Sequence, residues 1–187
     1  MKSIKVVGLG GSMKEGSASV RALQLALDGA AEGGAETSLL EIRQLDLPIY
    51  APDLAPPAGV SRLVEAVAAA DGLLWSSPVY HGSISGAFKN ALDWLELLSG
   101  REPKYLTNKV VGLISTAGGV QALQAINTME FIVRALRGWT VPLAIPLDRA
   151  GEAFDRSGQI QDAAVHARLR QLGQTVAATA RRLAATH

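Results

Sequence analysis

The chain has 187 residues, of which 48% are apolar, with no cysteine and a formal net charge of +1. The length suits one domain with a full hydrophobic core; the charge is too small to draw in nucleic acid or an anionic membrane; and without cysteine there is no disulfide, thiolate nucleophile or cysteine-bound metal. No apolar run reaches the ~18 residues of a membrane span, and Met1-Lys2-Ser3 leads directly into a β-like segment with no signal-peptide core, so a cytoplasmic protein is expected.

Ile4 to Gly8 is the first expected strand, after which Val20, Leu23, Leu27 and Ala30 recur at helical spacing. Thr37 to Ile42 is a second strand. The proline-rich segment that follows it, Leu47 to Pro57, cannot be regular structure. At the carboxyl end of a strand it is placed to lean over a ligand. Leu63, Val67 and Ala70 mark a second helix before the strand Gly72 to Ser76. From Ser85 onward, Phe88, Ala91, Leu92, Leu95 and Leu98 form one helical stripe, with Lys89 and Asp93 paired on the other face. A strand from Val110 to Ser115, a helix from about Val120 to Leu136 and a strand from Val141 to Ile145 follow. The last helix carries Val165, Leu169, Leu172, Val176 and Leu183, with Arg168, Arg170, Arg181 and Arg182 spread around it as a solvated face. The first, third and fourth strands are apolar on both faces, as parallel strands covered on each side must be. Five strands alternating with five helices predict a doubly wound parallel α/β sheet, one domain over residues 1–187.

The loop after the first strand reads Gly8-Leu9-Gly10-Gly11-Ser12-Met13-Lys14-Glu15-Gly16-Ser17-Ala18-Ser19. Free backbone N–H groups at the helix start, the helix dipole, the hydroxyls of Ser12, Ser17 and Ser19, and Lys14 together make an anion site suited to a phosphate. A Walker loop is disfavoured because Ser17 stands where its lysine belongs. A dinucleotide fingerprint is disfavoured because Met13 replaces its third glycine. The competing reading is a tight turn with Ser17 as an ordinary helix cap.

The loop after the third strand is the informative part: Ser76-Ser77-Pro78-Val79-Tyr80-His81-Gly82-Ser83-Ile84-Ser85-Gly86-Ala87-Phe88-Lys89-Asn90-Ala91-Leu92-Asp93-Trp94. It resembles the signature of the NADPH-dependent FMN reductase family, and nearly every fixed position of that pattern is present. The first loop resembles the family's phosphate loop, and Ser115-Thr116-Ala117-Gly118-Gly119 its third flavin loop. The resemblance implies a flavodoxin-like three-layer sandwich, strand order 2-1-3-4-5, with non-covalent FMN. Carried over by position, Ser12, Ser17 and Ser19, with Lys14, would hold the phosphate. Pro78, Val79, Tyr80, His81 and Gly82 would line the ring and ribityl chain, and Ser115, Gly118 and Gly119 would approach the pyrimidine edge. Many members carry an arginine beside the loop's first serine; here Met13 and Lys14 stand there, and lysine is a point charge without the guanidinium fork.

The implied chemistry is ping-pong: NADPH or NADH reduces the flavin at N5, and a small acceptor (a quinone, an azo compound, free flavin or chromate) then takes the electrons. No side chain is assigned a catalytic role. His81 is read as a backbone or packing residue before a general base. Lys89, Asn90 and Asp93 are read as helix stabilisers, Asn90 also as a loop anchor, and Trp75, Trp94 and Trp139 as core or interface. Apolar residues beyond one stripe (Trp94, Met129, Phe131, Ile132, Val133) predict an interface and hence a homodimer or homotetramer. The rival is a non-enzymatic electron carrier, which the near-zero charge disfavours. A hydrolase is disfavoured because Gly82-Ser83-Ile84-Ser85-Gly86 has isoleucine at the nucleophile position.

Overall fold

The computed structural model describes residues 3–155 and 158–185, so Met1 and Lys2 of the N-terminal reading lie outside the described residues. Its strands are β1 (Ile4–Gly10), β2 (Ala35–Glu41), β3 (Gly72–Tyr80), β4 (Ser83–Ile84), β5 (Val110–Thr116) and β6 (Trp139–Leu147). The helices are α1 (Ala18–Glu32), α2 (Ala58–Ala69), α3 (Gly86–Asp93), α4 (Ala122–Ala135) and α5 (Ala163–Ala184). Five strands pair in parallel in the order β2-β1-β3-β5-β6, and β4 pairs only with β3. With β4 set aside, this is the expected 2-1-3-4-5 order.

Alternation along the buried strands divides the core in two. Ile4 and Val6 of β1, Leu74 of β3, and Val110 and Ile114 of β5 face α1 and α5. Val7 and Leu9, Leu73 and Trp75, and Val111 and Leu113 face the layer that contains α2, α3 and α4. This two-residue period, with both faces apolar, is what a sheet covered on each side requires. On the first face α1 and α5 approach very closely: Ala22, Ala26, Ala30, Ala177 and Ala180 are all buried, and Gly29 and Gly173 sit where no side chain would fit.

Three expectations are corrected. The stripe from Ser85 to Leu98 is α3 followed by a 3-10 turn at Trp94–Leu98. Trp94, Met129 and Val133 are fully buried and Ile132 half-buried, so Phe131, 80% exposed, is the single exposed member of the apolar set. Arg170 and Arg181 do not form a purely solvated face: Arg170 pairs with Glu32, and Arg181 donates to the Gly33 carbonyl, tying α5 to α1.

The registers decide where the loops meet. Gly10 lies opposite Ser76, Ser76 opposite Ile114, and Thr116 opposite Leu147. The carboxyl ends of β1, β3, β5 and β6 thus reach one edge of the sheet together, and their loops share one rim.

Candidate functional site

The first loop is pinned before it turns. Gly11 N–H donates to Ser76 O at 2.8 Å, extending the β1–β3 pairing, and Gly11 O accepts from Ser85 Oγ at 2.6 Å. Ser85 also caps α3, accepting from Phe88 N at 3.1 Å, and its own N–H donates to Ser77 Oγ at 3.0 Å. One serine therefore joins the loops after β1 and β3.

Beyond Gly11, Ser12 Oγ accepts from Lys14 N and Ser17 Oγ from Val20 N, each at 3.2 Å. Ser17 is the cap of α1, as the plain reading of the sequence had it. A hydroxyl that accepts from a backbone N–H keeps its own proton to donate, so capping and anion binding are compatible at both residues. Ser19 is arranged differently. Ser76 Oγ donates to Ser19 O at 2.8 Å, and the two hydroxyls lie 3.0 Å apart, which directs the Ser19 proton to Ser76.

Ser12, Lys14, Ser17, Ser19, Pro78, Val79, Tyr80 and Gly118 line one cavity of about 560 Å³, within the range of small-molecule and cofactor pockets. Four predicted residues fall outside its lining. His81 and Gly82, at φ 51° and 78°, form the two-residue turn between β3 and β4, closed by the Tyr80–Ser83 pair. Two consecutive left-handed residues are what a tight hairpin of this type needs. Ser115 is buried, with its hydroxyl on Ala122 O, where it ties β5 to α4. Gly119 is exposed beside Gly118, and its carbonyl accepts from Arg149 N at 2.9 Å. Asp148 steadies the same loop by accepting from Ala122 N at 3.0 Å.

Sequence reasoning missed the remaining wall. Arg21 of α1, Gly151, Phe154 and Asp155 also line the cavity, beside Thr116 and Ala117 of the third motif loop. Phe154 stands in a short antiparallel hairpin between β6 and α5, bridged to Ile160. Nothing local in the sequence marks that hairpin. The Arg21 guanidinium lies over the Phe154 ring, 6.0 Å from its centroid.

The cavity is polarised. Lys14, Arg21 and the Ser12 and Ser17 hydroxyls gather at the start of α1, whose dipole adds positive potential. Glu15, on the same loop, is held 3.5 Å from Arg43. The other end, at the carboxyl ends of β3 and β5, is less polar, built from Pro78, Val79, Tyr80, Ala117 and Gly118. An anionic tail and a planar body suit the two ends, and FMN has both.

The proline-rich segment lies to one side, against α3. Tyr50 N donates to Asn90 Oδ1 at 2.9 Å, and Asn90 Nδ2 and Trp94 Nε1 each donate to Pro48 O at 2.9 Å. Leu47 and Ile49 border a smaller cavity with Met13 and Arg43, separate from the lining described above.

A doubly wound parallel sheet with a cavity across its carboxyl edge, lined in part by cations and hydroxyls, defines a flavodoxin-like α/β protein. The chain belongs to the NADPH-dependent FMN reductase family, whose pattern matches residues 4–152. It is 35% identical over 136 residues to the NADPH-dependent FMN reductase ArsH of Acidithiobacillus ferrooxidans, covering 73% of this chain and 56% of that protein. It is 32% identical over 189 residues to the NAD(P)H-dependent FMN reductase PA1204 of Pseudomonas aeruginosa, covering 96% and 97%. The chain thus spans little more than half of ArsH and nearly all of PA1204. Among solved structures, FerB of Paracoccus denitrificans, a flavoenzyme NAD(P)H:(acceptor) oxidoreductase, matches with a TM-score of 0.76 at 26% identity, covering 96% and 98%. The fold and family expected from the three loops are borne out.

Proposed function

We propose that this protein is an FMN-dependent NAD(P)H oxidoreductase that reduces a small acceptor such as a quinone, an azo compound, free flavin or chromate. The observation that carries this reading is the polarised cavity: cations and hydroxyls at the start of α1, and apolar residues at the ends of β3 and β5. When bound, FMN supplies hydride acceptance at N5 and electron release in one or two steps.

The chain's own part is placement. Ser12 and Ser17 donate to the phosphate while their oxygens keep the loop and α1 in register, and Lys14 neutralises charge. Pro78, Val79 and Tyr80 form one side of the ring site, and Gly118 leaves a backbone N–H near it, while the Ala117 N–H is held by Leu147 O. Tyr80, 57% exposed, borders the open side where a nicotinamide and an acceptor enter in turn. Orientation and partial exclusion of water account for the rate, with no acid or base side chain needed.

Val120, Leu123 and Phe131, at 69%, 57% and 80% exposure on and before α4, support a homodimer across this face. A light-scattering mass of one chain at micromolar concentration would sink that assembly. Among the described residues no helix is long and apolar enough to cross a membrane, and the need for reduced nicotinamide favours the cytoplasm.

The test is an absorbance spectrum after mixing with FMN and desalting, then anaerobic NADPH. Retained flavin that bleaches supports the reductase. Retained flavin that neither NADPH nor NADH bleaches favours an electron carrier, and bleaching of added free FMN without retention still fits a reductase using exchangeable flavin. With neither retention nor bleaching, the reading is wrong.

A further inference from the structure

Arg21 stands apart from the loop residues that the sequence pointed to. It projects from the first turns of α1 into the cavity that holds Lys14, Ser12 and Ser17. A Cβ built on Gly16 would come 3.6 Å from Arg21 Nη2, so the guanidinium borders the turn of the first loop. A Cβ on Gly158 would come 3.0 Å from Arg21 Cζ and Nη1, and the Phe154 ring lies 6.0 Å from Cζ. The guanidinium is therefore held between the loop after β1 and the hairpin after β6. Among the described residues it forms no ion pair with a carboxylate. Phe154 and Gly158 lie beyond the stretch that matches the family pattern, which ends at residue 152.

We propose that Arg21 reads the phosphate of the flavin and that Phe154 is its positioning residue, so that the β6–α5 hairpin sets the preference for a phosphorylated over an unphosphorylated flavin. This rests on the FMN reading above. A guanidinium gives a phosphate two parallel donors where Lys14 gives a point charge. That fork is useful only if it is held in place, and the Phe154 ring beneath Cζ bounds it on one side. The contact with Gly158 limits the other side, and a side chain at that position would crowd the guanidinium.

The experiment measures dissociation constants for FMN and for riboflavin by fluorescence titration of the full chain. Arg21→Met should raise the FMN constant about 10- to 100-fold, the range for a hydrogen bond to a charged group, and leave riboflavin unchanged. Arg21→Lys should recover part of the loss. Phe154→Leu should weaken FMN several-fold through Arg21 alone. The double variant Arg21→Met/Phe154→Leu should then bind no worse than Arg21→Met, and Phe154→Tyr should restore the preference. Equal loss for both flavins, no loss for FMN, or additive losses in the double variant would overturn the proposal. Wild-type protein that binds neither flavin would overturn the FMN reading itself, a distinct result. Circular dichroism and melting curves show which variants are folded, and the Arg21→Lys and Phe154→Tyr comparisons stand even if a harsher variant is not.

Discussion

Replacing Gly173 by alanine sets two effects of opposite sign against each other. In a helix interior alanine is favoured over glycine by about 1 kcal/mol, so α5 alone would gain. The built Cβ, however, falls against Ala26 O, 2.6 Å from Ala30 N and 2.8 Å from Ala26 C. These are backbone atoms of α1 and cannot rotate away. Restoring ordinary contact near 3.5 Å requires the two helices to part by about 1 Å or more. Parting them loosens Ala22, Ala26, Ala30 and Ala177, each 0% exposed. Overpacking of this kind costs about 1–3 kcal/mol, and a rigid backbone obstacle puts it at about 3. The net expectation is a loss of about 2 kcal/mol, or a fall in Tm of about 4–8 °C for a chain of this size. Urea unfolding and calorimetry at one fixed FMN concentration read it, since bound ligand shifts apparent stability. Gly86→Ala is the control: a Cβ there meets nothing within 4 Å, and stability should change by no more than about 0.5 kcal/mol. A Gly173→Ala protein as stable as wild type would refute the close α1–α5 seam.

Ser85→Ala removes the cap of α3 and the bond to Gly11 O, and should cost about 2–3 kcal/mol in urea unfolding; a loss under about 0.5 kcal/mol would show that the loops after β1 and β3 are not joined there. Asn90→Ala breaks the bonds to Tyr50 N and Pro48 O and should speed limited proteolysis between residues 47 and 57, while an unchanged cleavage rate would count against the anchor. Hydrogen bonds from Arg170 and from Arg101 hold the Glu32 and Glu65 carboxyls below their ordinary value of 4.5. Carboxyls lowered in the fold stabilise it above that value and lose their contribution as the pH falls through the lowered ones. Both pairs are exposed, so the effect is modest; Glu32→Gln/Glu65→Gln should show a shallower fall of Tm between about pH 5 and pH 3 than wild type, and equal slopes would contradict the pairing.

The sheet was legible because β1, β3 and β5 are apolar on both faces, a pattern that depends on local order alone. Their ends were harder to read. β3 runs four residues past its expected end at Ser76, because Ser77 and Pro78 pair with Ser115 and Thr116 of β5, and Val79 and Tyr80 with β4, and such backbone pairings leave no mark in the local sequence. β6 begins at Trp139 and admits Pro142 and Pro146 because it is an edge strand. On α4, helical spacing did not settle which of Met129, Phe131, Ile132 and Val133 face inward; docking against the sheet turned Phe131 out. Most of the cavity lining came from the three motif loops, whereas Arg21 and Phe154 are brought together by tertiary packing across 133 positions.

The hydrogen bonds that anchor the proline-rich segment at α3 reach only its main-chain atoms, beside the edge-on contact of the Tyr50 and Trp94 rings. Asn90 and Trp94 hold the Pro48 carbonyl and the Tyr50 amide, groups that most substitutions leave in place. The outward side chains of that segment, Ile49, Asp53 and Leu54, are therefore free to drift without loosening it. A segment held this way can exchange its surface residues and keep its path over α3, so related chains are able to diverge there while their scaffold stays constant.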